Sequence, residues 1–186
     1  MLPETLNPKT GCLLIPNSPQ STVKLSTAIL AVIDQITLFA GAGRNDRGGG
    51  KAGTRDPDHA DQSSWRILII EDDSFSVELY TILLEASGYN TLPAADGEEG
   101  LALARRQKPD LIICDVILPK MGGCEIVRDL KADPVLRLIP IIAVTALGSL
   151  GDRERLLAAG FDGYIAKPIE AETFSSQIVS FLPEVH

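Results

Sequence analysis

Pro109-Asp110-Leu111-Ile112-Ile113-Cys114-Asp115-Val116-Ile117-Leu118-Pro119 is the stretch on which the rest of the chain turns. Four apolar residues, Leu111 to Cys114, run without interruption into a carboxylate, and prolines bound the stretch on both sides. Such a run reads as a strand covered on both faces, as in a parallel sheet, because a half-exposed strand would alternate apolar and polar residues. Ligands of open parallel sheets lie beyond the carboxyl ends of the strands, so Asp115 stands where chemistry belongs. An aspartate there also serves simply to cap the next turn. What lifts Asp115 above that role is the company it keeps.

Outward from this strand, apolar runs and helical periods alternate five times between Arg66 and Leu182. Ile67 to Ile70 is an apolar strand ending in Glu71-Asp72-Asp73. Ser74 to Ala86 is a helix with Phe75, Leu79, Ile82, Leu83 and Ala86 on its inner face and Gly88 as its stop. Tyr89 to Leu92 is a second strand. Asp96, three residues before Glu99, forms a carboxylate version of the capping box and opens a helix through Arg106. After the Asp115 strand, Gly122-Gly123 leads into a helix from Cys124 to Ala132. Ile139 to Val144 is the fourth strand and Ser149 to Ala159 the fourth helix. Gly163 to Ala166 is the fifth strand, and Glu170 to Leu182 the last helix, with Phe174, Ile178 and Phe181 inward. This order predicts a doubly wound, five-stranded parallel sheet with right-handed crossovers.

The strand ends carry the site. Glu71 and Asp72 follow strand one, Asp115 strand three, Thr145 strand four and Lys167 strand five, all facing one crevice at the topological switch point. Three carboxylates in contact repel, and a hard divalent cation with oxygen ligands resolves the repulsion; Mg2+ suits a site that waters and a phosphate complete. A lysine and a threonine hydroxyl opposite them suit a phosphoryl group.

Composition bounds the alternatives. The 186 residues are 45% hydrophobic, enough for one good core, and 25 acids against 17 bases give a net charge of −8. No basic face is available to neutralise phosphates, which argues against a nucleic-acid partner. Cys12, Cys114 and Cys124 are widely spaced and read as reduced thiols in a cytoplasmic protein. His59 and His186, the only histidines, leave no histidine-based metal centre or triad. Residues 1–64 read as an extension and linker without stable structure, apart from a short helix over 25–40 where Leu25, Ile29, Val32, Ile33, Ile36 and Phe39 keep helical spacing. That segment falls short of the ~20 apolar residues of a membrane span and carries Asp34 and Gln35 at its centre. Gly41 to Ser64, with Gly48-Gly49-Gly50, has linker composition, and a domain over 65–186 follows it. Gly48 to Lys51 lacks the preceding strand and following helix of a phosphate loop.

Ile67 to Pro183, about two thirds of the chain, resembles the receiver domain of two-component response regulators. The resemblance is carried by Ile-Leu-Ile-Ile-Glu-Asp-Asp at 67–73, the Pro-Asp-Leu-Ile-Ile-Cys-Asp-Val-Ile-Leu-Pro-Lys-Met-Gly-Gly run at 109–123, Val-Thr-Ala at 144–146 and Ala-Ala-Gly-Phe-Asp-Gly-Tyr-Ile-Ala-Lys-Pro at 158–168. It implies a flavodoxin-like fold, with Asp115 as phosphoacceptor, and Glu71, Asp72, Asp115 and the backbone carbonyl of Ile117 as Mg2+ ligands. It further implies Thr145 as switch hydroxyl, Tyr164 as switch aromatic, Lys167 as the phosphate-pairing lysine and a cis Lys167-Pro168 bond. Gly122 departs from the Asp or Asn of many members. Within the family the chain is most similar to stand-alone cell-cycle receivers of the DivK type.

The function so implied is that of a signalling module, not an enzyme with a turnover substrate. A histidine kinase or histidine phosphotransfer protein donates to Asp115, and the added charge draws in Thr145 and Tyr164. The signal leaves by protein contact at the surface of the fourth helix, fifth strand and fifth helix, the protein being a monomer or a weak dimer through that face. With only Pro183 to His186 after Leu182, no output domain is expected. Relay of the phosphate to a downstream histidine domain is an alternative. An aspartate-nucleophile phosphatase is disfavoured, because such enzymes resemble Asp-x-Asp and position 117 is Ile; a receiver that takes no phosphate is disfavoured by the complete acceptor set. Ile117 and Leu147, two residues after the acceptor and after the switch threonine, cannot hydrogen-bond an attacking water, which implies a long-lived phosphoprotein.

Overall fold

The computed structural model describes residues 65–146 and 150–182, together with two short strands, Thr5–Leu6 and Leu13–Leu14. Five strands and five helices alternate between 66 and 179: β1 (Arg66–Ile70), α1 (Ser74–Ala86), β2 (Asn90–Ala94), α2 (Gly97–Gln107), β3 (Leu111–Cys114), α3 (Gly123–Ala132), β4 (Ile141–Thr145), α4 (Leu150–Ala159), β5 (Gly163–Ala166) and α5 (Ala171–Val179). All sheet pairings are parallel, in the order β2-β1-β3-β4-β5. The order reverses between β1 and β3, which creates the crevice anticipated from the sequence.

The strands fold this way because each offers apolar side chains to both faces. Leu68, Ile70, Ile112, Cys114, Ile141 and Ala143 join Leu101, Ala104, Ile126, Val127, Leu130 and Leu156 in one cluster beneath α2, α3 and α4. The alternate residues, Ile67, Ile69, Ile113, Ile142 and Val144, are equally buried on the other face, with Tyr80, Leu83 and Leu84 of α1 and Phe174 and Ile178 of α5. Each wholly buried isoleucine or leucine contributes about 2 kcal/mol from leaving water. Pro93 falls inside β2, where it is tolerated because β2 is an edge strand.

Three expectations are corrected here. On α1, Phe75 and Ile82 are exposed, at 51% and 36%, and the buried side chains are Tyr80, Leu83 and Leu84. The helix is apolar on more than one side, so spacing alone left its rotation open, and packing against α5 selects the face that stacks Tyr80 on Phe174. The first twenty residues, expected to lack structure, contribute the two-residue strands, paired antiparallel with Thr5 opposite Leu14 and Leu6 opposite Leu13. Thr and Leu suit such a pairing. The expectation of reduced thiols holds for the buried Cys114 and fails for Cys124, which is disulfide-bonded. Spacing could not reveal a pairing that depends on folding. The expected helix over 25–40, the linker before Ser64 and Leu147 lie outside the described residues.

Two devices fix the ends of the sheet. At the carboxyl end, Gly123 passes so close to β3 that a Cβ there would lie 2.6 Å from the Asp115 carbonyl oxygen and 2.8 Å from Val116 Cα. Glycine is therefore required for α3 to start directly beneath the Asp115 loop, and its amide donates to the Val116 carbonyl at 3.0 Å. At the opposite end the Lys131 ammonium donates to the carbonyls of Arg137 and Ile139, both at 3.2 Å, and to Asp162 Oδ2 at 2.7 Å. The same Asp162 oxygen accepts the amide of Ile141 at 2.8 Å, so one lysine joins α3, the turn before β4 and the turn before β5.

Candidate functional site

Backbone pairing carries each functional residue to the same level. The amide of Glu71 donates to the Ala94 carbonyl, that of Asp115 to Ile70 and that of Lys167 to Thr145, at 3.1, 2.9 and 2.9 Å. The parallel ladder thus continues one residue beyond each strand. The side chains that follow converge over the carboxyl ends of β1, β3 and β5.

The Lys167 ammonium stands at the centre. It donates to Glu71 Oε2 and to Asp115 Oδ2, each at 2.7 Å. Asp115 Oδ1 accepts the amide of Ile117 at 2.9 Å, so both carboxylate oxygens are held and the group is oriented before any ligand arrives. Glu71 Oε1 accepts the amide of Asp73 at 3.3 Å. Glu71 and Asp115 are 2% and 7% exposed, whereas Asp72 faces solvent. Ligand oxygens of Glu71, Asp72 and Asp115 all lie within 4.8 Å of one another.

Charge in this cluster does not balance: one ammonium faces three carboxylates. Burial first, and then the Asp115 charge, push the Glu71 carboxyl up to about 7, against the pull of Lys167. Burial also raises the Asp72 carboxyl, its own backbone hydrogen bond opposing. For Lys167, burial works against the charge, yet the hydrogen-bonded carboxylates of Asp115 and Glu71 outweigh it and hold the ammonium above its usual value. A group of oxygen donors with surplus negative charge suits a hard divalent cation.

Of the residues expected at the site, Glu71, Asp72, Asp115 and Lys167 come together. Thr145, at the end of β4, is fully buried, and its carbonyl accepts the Lys167 amide. Tyr164 on β5 is half-buried and packs against the α2–α4 side of the core, at one remove from the carboxylates. Burial and the charge of Asp152 on α4 raise its phenol. The Ile117 amide, not only its neighbourhood, belongs to the site, and its side chain is 37% exposed. The Lys167-Pro168 peptide is cis, as expected.

Sequence reasoning left two neighbouring residues unplaced. Asp73, which follows the acidic pair, is drawn out of the ligand group because it caps α1: its Oδ2 accepts the Ser76 amide at 3.0 Å and the Ser76 hydroxyl at 2.8 Å. The Asp-x-x-Ser spacing at 73–76 carried that signal. Tyr80 is fully buried, its ring stacked on Phe174 at 5.0 Å, and burial pushes its phenol up to about 12; nothing in the sequence set it apart from other apolar positions of α1. The box at α2 is present as expected, with the Glu99 amide donating to Asp96 at 2.9 Å, although Glu99 in return accepts from the amide of Ala95.

Residues 67–179 match the response regulator receiver domain family. The chain belongs to it. Similar relatives include the polar-differentiation response regulator DivK of Brucella anthropi, 45% identical over 116 residues that span 62% of this chain and 94% of that protein. The DivK of Brucella melitensis gives the same figures. Among solved structures, the Vibrio cholerae chemotaxis protein CheY4 shares 29% of residues at a TM-score of 0.61, covering 64% of this receiver chain and 99% of that one. A receiver domain of a sensor histidine kinase from Pseudomonas aeruginosa, solved with a magnesium ion coordinated in its active-site cleft, shares 33% at a TM-score of 0.59, covering 63% and 97%. The receiver here is thus of the DivK kind, with the flavodoxin-like fold expected from its sequence.

Proposed function

We propose that the receiver takes a phosphoryl group on Asp115 from the phosphohistidine of a histidine kinase or histidine phosphotransfer protein, and signals through protein contacts. The observation that carries this reading is the double grip of Lys167 on Asp115 and Glu71, at 2.7 Å each, with Asp72 completing the acidic group. An oxygen of the Asp115 carboxylate attacks phosphorus as the bond from phosphorus to the donor imidazole breaks, and the imidazole nitrogen keeps the electron pair and takes up a proton. The Ile117 amide and Lys167 orient the nucleophile, and Lys167 follows the negative charge onto the phosphoryl oxygens. Mg2+, held by Glu71, Asp72, Asp115 and the Ile117 carbonyl, supplies charge neutralisation when bound, as the three convergent carboxylates and the magnesium-bound Pseudomonas neighbour suggest.

Donor docking has a surface beside the site. Phe75, one residue into α1 from the capped Asp73, and Ile82 two turns on expose apolar area along the helix that leaves the acidic loop. A helical donor domain with an apolar face fits there. Thr145 and Tyr164 carry the change outward in this reading: the hydroxyl of Thr145 turns to the new phosphoryl oxygens and Tyr164 follows toward the space it leaves. The readout surface is α4, β5 and α5, with the protein a monomer or weak dimer through that face.

The chain spans 94% of the DivK relative, which supports a comparable signalling role without a turnover substrate. We place it in the cytoplasm, with the ATP-dependent kinases that supply phosphohistidine; among the described residues no helix is long and apolar enough to cross a membrane. A relay role is supported by Ile117, an apolar and partly exposed residue whose amide holds Asp115 and whose side chain cannot hydrogen-bond an attacking water. The test is labelling by acetyl phosphate with Mg2+: one phosphate per wild-type chain and none on Asp115→Asn, a near-isosteric change. Equal labelling of that variant overturns the reading, as does catalytic turnover of a generic phosphate ester, which would point to a phosphatase.

A further inference from the structure

Lys120 holds the loop after Asp115 in a backbone conformation that a side chain makes costly. Its φ is +66°, and the Met121 amide donates across it to the Pro119 carbonyl at 2.7 Å, so Lys120 is the centre of a γ-turn of the rare, strained hand. Glycine would take that backbone freely. Lys108, the second such residue among those described, ends α2, where left-handed backbone is common. Lys120 ends no helix; it stands at the tip of the loop from Asp115 to Gly123. Its resting contacts do not offset the strain. The side chain is 69% exposed, and the ammonium lies 3.5 Å from Asp96 Oδ2 in a surface pair of the kind that contributes little. Asp96 keeps its own place by capping α2, with the Glu99 amide donating to it.

Charge around the crevice is uneven. Lys120 is the only cation between Asp115 and Gly123, whereas Asp72 and Asp73 are exposed on the neighbouring loop after β1. A donor that lays an apolar face on the exposed Phe75 and Ile117 therefore meets acids after β1 and this one ammonium after β3. We infer that Lys120 determines which phosphodonor is accepted: its ammonium, held out by the γ-turn, meets a carboxylate on the histidine-bearing donor domain. This rests on the reading of Asp115 as phosphoacceptor. A single cation on an acidic rim fixes the register of a docked surface, because a shifted placement sets the donor's acid against Asp72 and Asp73 instead. The flexible lysine stem lets the ammonium leave Asp96 at little cost, since the pair it breaks is exposed. Such recognition acts on the encounter and not on the transfer, so a donor too small to span rim and crevice gains nothing from it.

Lys120→Gly removes the charge and the strain together, so its unfolding midpoint in denaturant should not fall, and a slower reaction is then not a damaged fold. The donors are autophosphorylated histidine kinases encoded in the same genome, purified and mixed singly with the full chain at low ionic strength. Whichever of them phosphorylates the wild type should phosphorylate Lys120→Gly about five- to tenfold more slowly and Lys120→Glu more slowly still, with Lys120→Arg within about twofold of wild type. Raising the salt to about 0.5 M should narrow these differences, as screening of an exposed charge requires. Labelling by acetyl phosphate with Mg2+ should hold within about twofold in every variant. Equal transfer from the kinases to wild type and Lys120→Gly overturns the inference, and so does an equal loss with acetyl phosphate, which would put the ammonium in the chemistry and not in donor recognition. A wild type labelled by acetyl phosphate but by none of the kinases overturns it as well, with the phosphoacceptor reading intact. A wild type labelled by neither sinks that reading, and this inference with it.

Discussion

Lowering the pH from 8 to 6 is expected to weaken Mg2+ binding about tenfold, with Glu71 responsible. Glu71 is 2% exposed, and burial followed by the Asp115 charge brings its carboxyl to about 7 in the metal-free protein. A group with that value is about nine-tenths ionised at pH 8 and about one-tenth at pH 6, so the ion competes with a proton across the interval. Folding is linked to the same proton. The folded value lies above the ordinary 4.5, so the contribution of protonated Glu71 to stability is complete below about 4.5 and is lost as the pH rises through about 7. Bound Mg2+ should accordingly raise the melting temperature more at pH 8 than at pH 6. Calorimetric titration of the metal-free protein in two buffers of different ionisation enthalpy counts the protons released, about half a proton per ion at pH 7. Glu71→Gln, which has no proton to lose, should bind more weakly and with a flatter pH profile. Affinity that is constant between pH 6 and pH 8, or a Glu71→Gln profile as steep as wild type, would refute the argument.

Gly123→Ala should destabilise the fold by about 2 kcal/mol in denaturant unfolding, because the atoms its Cβ meets are backbone and cannot turn aside, whereas Gly122→Ala, with nothing nearer than the Val116 carbonyl oxygen at 3.6 Å, should be near neutral. Purified phosphoprotein with Mg2+ present should decay slowly and Ile117→Asn should speed that decay, since an amide beside the acceptor can hold the attacking water; decay of the wild type within seconds, or no change in the variant, contradicts this. Residues 1–64 should be dispensable for the chemistry, and a chain beginning near Ser63 that no longer accepts phosphate would show otherwise. Leu147→Glu or Leu147→Arg should speed the same decay, because a side chain able to hydrogen-bond water then stands two residues after the threonine, and an unchanged rate contradicts this.

The architecture and the acidic triad were legible because each depends on local sequence events. A both-faces-buried strand such as Leu111–Cys114 is uniformly apolar, and the residue after it reaches the sheet edge whatever the helices do. What sequence could not supply was rotation and reach. Phe75 and Leu83 look alike as apolar positions of α1, yet one is half exposed and the other buried, because the choice between overlapping apolar faces is made by α5, ninety residues away. Asp72 and Asp73 are likewise adjacent acids, and a hydrogen bond to Ser76 sends the second to cap the helix. The boundaries drifted for a related reason: β4 begins at Ile141 rather than Ile139, after a proline that has no amide to give the ladder.

The Lys131 clamp has a mechanical consequence. With one ammonium fastening α3 to the turns that enter β4 and β5, the far ends of those strands are pinned to each other and to the helix that precedes β4. A displacement begun at Thr145 or Lys167 therefore meets more resistance as a slide of one strand along its neighbour than as a movement of the free ends. It becomes a tilt about the pinned end, with the lever arm of the strand itself, so that movement is greatest at the rim that bears Asp115 and dies away toward Lys131. Any partner that senses the state of this protein through strand movement has reason to grip it near that rim.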